Sequence, residues 1–128
     1  MKTINNLEDL NFYLELAVKI ESQTGRRKIF NIYDAKQILI AAGFEYVNLG
    51  SSKNSKIHAH EAKIITLQRK SGDLEKGSYL VFGIGNMGTK YSRYEGLVIK
   101  LELTNTELSD AINILSWEHF IRIKKCLK

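Results

Sequence analysis

Two histidines one residue apart, His58 and His60, with Glu61 beside them, are the residues of this 128-residue chain best suited to acid–base chemistry. Imidazole changes its charge near neutral pH. On an extended strand alternate residues share a face, so both rings could serve one pocket. One would act as general base and one as general acid on an RNA phosphodiester, with Lys63, Lys100 or a tyrosine holding the phosphate. Two imidazoles could also bind a metal, but a zinc site takes at least three protein ligands. His119 lies far away in sequence and no acidic cluster supplies the rest, so no metal is assigned. The single Cys126 excludes an internal disulfide and any cysteine cluster.

A second kind of chemistry is suggested by the stretch 78–104, which reads strand, glycine-rich loop, strand. The loop holds Gly83, Gly85 and Gly88, followed by Lys90, Tyr91, Arg93 and Tyr94. Glycines allow close backbone approach to a ligand. Tyrosines can stack on bases while lysine and arginine grip phosphates. The run Gly83-Ile84-Gly85-Asn86-Met87-Gly88 fits the G-x-G-x-x-G dinucleotide fingerprint, but that fold needs a crossover helix after the motif. Only TKYSRYEG separates Gly88 from Leu97, and it has no apolar stripe. Glu95–Lys100, EGLVIK, resembles a nucleotide-contacting motif of ATP-dependent nucleic-acid ligases. That resemblance implies a nucleophilic lysine in K-x-D-G, which this chain lacks. No cofactor is therefore assigned.

The charge is uneven. The formal net charge is +5, yet residues 26–70 alone carry 9 basic and 3 acidic groups. Arg26, Arg27 and Lys28 form a short basic turn, and the tail after residue 110 is also basic. Such a distribution attracts polyanions. The candidate ligand-binding residues are accordingly Arg26, Arg27, Lys28, Lys90, Tyr91, Arg93 and Tyr94.

These residues must be positioned by elements legible in the hydrophobic pattern. Leu7–Thr24 has helical periodicity, with Asn5 and Glu8 as a capping box. A shorter helix is expected over Ala35–Ala42, capped by Asp34, stapled by Tyr33 and Ile38, and ended by Gly43. Strands are expected over 44–49, 62–70, 79–84 and 96–104. The last alternates cleanly, with Leu97, Ile99, Leu101 and Leu103 on a dry face. Thr104 and Glu107 open a final helix that buries Leu108, Ala111, Ile112 and Leu115, with Trp117 and Phe120 also expected in the core. The phase shift after Ser116 predicts a bend there or a second helix.

The expected fold is a single α+β domain over residues 1–128. Two N-terminal helices and a C-terminal helix pack on an antiparallel sheet of about four strands, since short connections favour antiparallel neighbours. No signal-peptide core and no apolar run near the ~20 residues of a membrane span is present, so a cytoplasmic protein is expected. Its function reads as non-catalytic binding of an anionic partner: a nucleic acid, a nucleotide or an acidic protein face. Small proteins of phages, plasmids and toxin–immunity loci are of this kind. Two alternatives stand beside it. One is a metal-independent RNase-like toxin using His58 and His60, and the other is a homo-oligomeric structural or partner protein, a homodimer being the simplest form.

Overall fold

The computed structural model describes residues 1–24, 29–50, 53–84 and 95–126. Three helices, α1 (Leu7–Gln23), α2 (Ile32–Ala42) and α3 (Asn105–Cys126), pack with five strands. The strands are β1 (Thr3–Ile4), β2 (Glu45–Asn48), β3 (Ala62–Leu67), β4 (Gly77–Gly83) and β5 (Glu95–Leu101). Strands β2, β5, β4 and β3 form an antiparallel ladder in that spatial order, antiparallel as expected but with β2 beside β5 and not beside β3, the next strand in sequence. The sheet as a whole is mixed, because β1 adds in parallel to the far half of β5, Ile4 standing opposite Leu101. A two-residue strand has no periodicity to announce it, so the sequence pattern missed it.

That short strand also moves the first helix cap. Lys100 and Glu102 donate backbone bonds to Lys2 and Ile4, which holds the chain extended one residue longer than expected. Asn6, not Asn5, then caps α1. Its Oδ1 accepts from Asp9 N at 2.8 Å, and Asp9 Oδ2 accepts from Asn6 Nδ2 at 2.8 Å. In α2 the cap is Asn31, whose Oδ1 accepts from Asp34 N at 2.9 Å. Asp34 therefore sits in the first turn, where its charge complements the helix dipole. Tyr33 is exposed and makes no staple. Gly43 ends the helix in a left-handed conformation as expected.

The Thr104–Glu107 box forms as read, with reciprocal bonds of 3.1 Å. Beyond it α3 continues past Ser116 as one helix. Ser116 Oγ donates back to Ile112 O at 3.0 Å, which satisfies the hydroxyl without breaking the helix. Trp117 and Phe120 are not core residues. They are 59% and 53% exposed and stack on each other with ring centroids 5.6 Å apart. Ile112 is exposed as well.

Both faces of the sheet are dry. One carries Leu80, Phe82, Leu97, Ile99 and Leu101 against Leu10, Leu14, Val18 and Leu39 of the helices and Ala111 and Leu115 of α3. The other carries Ile65, Tyr79, Val81 and Val98 beneath Leu49, Ile57 and Leu74 from the loops. The face of β5 opposite its leucines is dry at Val98, which is fully buried, and becomes wetter at half-buried Lys100 and exposed Glu102. No described helix is long and apolar enough to cross a membrane.

Candidate functional site

Strand β3 is entered through a bulge. His60 N donates to Gly83 O at 2.7 Å, while Gly83 N donates to Glu61 O at 2.9 Å. Two residues of one strand therefore face one of its neighbour, the pattern of a β-bulge whose first residue is usually a left-handed glycine. Here that position is held by His60, with φ 62°. A left-handed L-residue costs about 1–2 kcal/mol, so the surroundings must enforce it. Glu61 N donates to His58 O at 3.2 Å, and Glu61 Oε2 accepts from His58 N at 3.0 Å. Gly83 closes the arrangement from behind, because a Cβ there would collide with His58 O. His58 and His60 are therefore presented by a turn and bulge, not by consecutive positions of a strand face. Burial pushes the His60 imidazole below its ordinary pKa, toward the neutral form.

A third histidine joins this end of the sheet. Helices α1 and α3 both start beside the far end of β5 and run side by side, so Glu21 and His119 meet late in the two helices. Glu21 Oε2 lies 2.8 Å from His119 Nε2, with side chains 23% and 29% exposed. The contact is short, though the ring N–H is poorly aligned with the carboxylate oxygen. The other oxygen, Glu21 Oε1, accepts from Ala62 N at 2.7 Å. One carboxylate thus joins α1, α3 and β3. The Glu21 contact raises the His119 pKa against the opposing effect of burial, and Glu61 adds to the rise. Beside the pair is a cleft of about 230 Å³ lined by Glu61, Lys63, Ile64, Ile112, Ser116 and His119.

The same end of the sheet bears the borders of both basic segments. Thr24 follows Glu21 by three residues and precedes residues 25–28. Ile84 and Glu95 flank residues 85–94, next to the Gly83–Gly96 pair of the β4–β5 ladder. The carboxylates here are already engaged. Glu21 and Glu61 hold the backbone of β3 and its entry turn, and Glu95 hydrogen-bonds Tyr46. Burial first, and then Glu95, raises the Tyr46 pKa. The Lys36 ammonium lies 4.1 Å above the Tyr46 ring centroid.

The residues assigned to ligand binding from sequence, Arg26, Arg27, Lys28, Lys90, Tyr91, Arg93 and Tyr94, lie outside the described residues. Sequence reasoning missed the Glu21–His119 pair. No local motif marks it, because only the side-by-side course of two helices brings the residues together. Another hollow, about 560 Å³ in volume, lies at the opposite end beside β1. Lys2, Glu8 and Asp9 line it, so its carboxylates outnumber its one lysine and it suits an anion poorly. Among the described residues no group of three or more histidines, cysteines and carboxylates could hold a metal ion. No protein-family model, curated protein or solved structure matches this chain.

Proposed function

We propose that this chain is a small non-catalytic binding protein for an anionic ligand, engaged at the sheet end where β3 is entered and β4 leads to β5. The observation that carries the reading is the common rooting of the two basic segments. Residues 25–28 carry three cationic groups and residues 85–94 two more. The carboxylates nearest their borders, Glu21, Glu61 and Glu95, are held by backbone, histidine or tyrosine, and these three are outnumbered by the five cationic groups of the two segments. Tyr91 and Tyr94 favour a nucleic acid over an acidic protein face, since each base offers a surface for stacking. The single cysteine suits a cytoplasmic setting. A homodimer would strengthen the same reading, because two basic ends held together bind a polymer more tightly than one.

The test is a salt series on single-stranded and duplex nucleic acid. On duplex, log affinity should fall with log salt by about 0.9 for each phosphate neutralised. Replacing Arg26, Arg27 and Lys28 by glutamine should flatten that slope by up to about 2.7 without lowering stability. Absence of binding at ~50 mM salt would remove the polyanion from consideration, leaving an acidic protein as the partner.

An RNase reading draws on one observation, the strained histidine of the bulge, because strain of this kind concentrates at functional sites. In the binding reading, His58→Ala and His60→Ala should each leave stability within about 0.5 kcal/mol and leave no RNA-cleaving activity to lose. Cleavage of total RNA by the purified protein, abolished in His58→Ala, would favour the enzyme.

A further inference from the structure

Strand β3 ends the spatial order β2-β5-β4-β3, and among the described residues no strand lies on its outer side. Ala62 N donates to Glu21, away from β4. Backbone groups alternate in direction along a strand, so the N–H and C=O groups of Ile64 and Thr66 face the same open side. Above that edge, Ile112 and Ser116 of α3 line the cleft beside Ile64. Phe120 continues their row at the next i+4 position, uncovered. An open edge next to uncovered apolar side chains is a template for another strand.

We propose that β3 pairs antiparallel with β3 of a second copy of this chain, about a twofold axis through Ile65, with Ile64 of each copy opposite Thr66 of the other. Three features select this occupant and register. First, the Ile64 and Thr66 groups are complementary to themselves, as an isologous interface requires, and the twofold pairing forms bonds from both copies using only open groups. The neighbouring register, Ile64 opposite Ile64, would need the Ala62 N–H that Glu21 already holds. Second, the chosen register brings Glu61, just before β3 in one copy, toward Arg69, two residues past β3 in the other, twice, whereas the neighbouring register carries Glu61 toward Leu67. Third, it brings both α3 helices to the same seam, where Ile112 and Phe120 of each copy can cover one another. Buried aromatic side chains contribute roughly 150–250 Å² each. With two strand edges added, the total is of the order of the roughly 1,200 Å² that stable interfaces bury. Lys63, a charge of the kind that discourages edge pairing, stands opposite Leu67 and can keep its ammonium in water.

The pairing does not depend on the anion-binding reading, and its test excludes bridging by nucleic acid. Sedimentation equilibrium of the nuclease-treated protein in ~0.5 M salt, where phosphate contacts are weakened, should show a monomer–dimer equilibrium in the micromolar range. Thr66→Pro removes a donor that β4 does not use, a position where an edge strand tolerates proline. It should raise the dissociation constant by about 100-fold with an unchanged far-ultraviolet spectrum. A monomer throughout, or a folded Thr66→Pro variant that dimerises like the wild type, would overturn the proposal. If Thr66→Pro does not fold, amide exchange in the wild type decides. The Ile64 and Thr66 amides should exchange at least about tenfold more slowly in the concentrated sample, and equal rates overturn the pairing.

Discussion

Gly72→Ala is expected to destabilise the protein by about 3 kcal/mol, read as a lowered urea midpoint with an unchanged slope. Gly72 has φ 60°, which already penalises any residue with a Cβ by about 1–2 kcal/mol. Space adds the rest. An added Cβ would overlap Asn48 O and come within 2.5 Å of Gly50 N. Both are backbone atoms, so neither can swing aside. The turn would have to withdraw, and it is fastened at three places. Asp73 N donates to Asn48 O at 2.8 Å, Asn48 N donates to Asp73 Oδ2 at 2.9 Å, and Ser71 Oγ donates to Leu49 O at 2.7 Å. Each such bond contributes about 1 kcal/mol. The turn also carries Leu74 onto the second dry face of the sheet. Gly77→Ala is the control. Its φ of 147° is also positive, but a Cβ there meets only the Tyr79 ring at 3.9 Å. Its cost should be backbone strain alone, about 1–2 kcal/mol. Equal costs at the two positions would show that crowding at Gly72 contributes nothing.

The difference between these two glycines illustrates what the sequence could reveal. KSGDLEKG is legible as turn material from composition alone, and the strands on either side are legible from their apolar runs. Nothing in the eight letters says that Gly72 is pressed against the exit of β2. That contact joins residues more than twenty positions apart, and single-sequence patterns report only local order. The same division runs through the helices. The Thr104–Glu107 box is a strong local signal and forms as read. At Asn5, Asn6, Asn31 and Asp34 several capping residues compete, and tertiary pairing decides among them. Thr3 and Ile4 join β5, so the helix starts after Asn6.

The site was less legible than the fold for the same reason. His58 and His60 stood out as a pair, but alternation on a strand did not apply to them, because a bulge intervenes before Ala62. The signal that could have exposed it was Gly83, a glycine within an otherwise apolar strand, which often marks a bulge or a close backbone approach. From sequence alone Gly83 reads as the first glycine of a ligand-binding loop instead. Its missing side chain makes room for the His58 carbonyl. Trp117 and Phe120 failed in the opposite sense. Hydrophobicity argued for burial, yet the helix continues unbroken past Ser116 and leaves both rings exposed. An exposed aromatic pair is a feature that only the phase of an unbroken helix reveals.

Glu21→Ala is expected to cost about 3 kcal/mol at pH 6 and about 2 kcal/mol at pH 9, measured by denaturant titration at each pH. The pH-independent part comes from Ala62 N, a partly buried donor that loses a charged acceptor at 2.7 Å. Bonds to charged groups contribute about 1.5–3 kcal/mol. The pH-dependent part comes from His119. Its folded pKa lies above the ordinary value of 6.5 because of the Glu21 contact. That stabilisation is fully present below pH 6.5 and is lost as the pH rises through the folded pKa, since only the imidazolium is held by the carboxylate. His60 titrates with the opposite sign. Its pKa is lowered by burial, so it weakens the fold as the pH falls below 6.5. Burial is the sole cause of that shift, and it is common to both proteins, so the difference between wild type and variant isolates His119. Glu21→Gln separates the two parts further. Its amide oxygen can still accept from Ala62 N but carries no charge, so the cost should be about 2 kcal/mol at pH 6 and about 1 kcal/mol at pH 9. If the cost of Glu21→Gln were the same at both pH values, the carboxylate–imidazolium pair would not be joining the two helices.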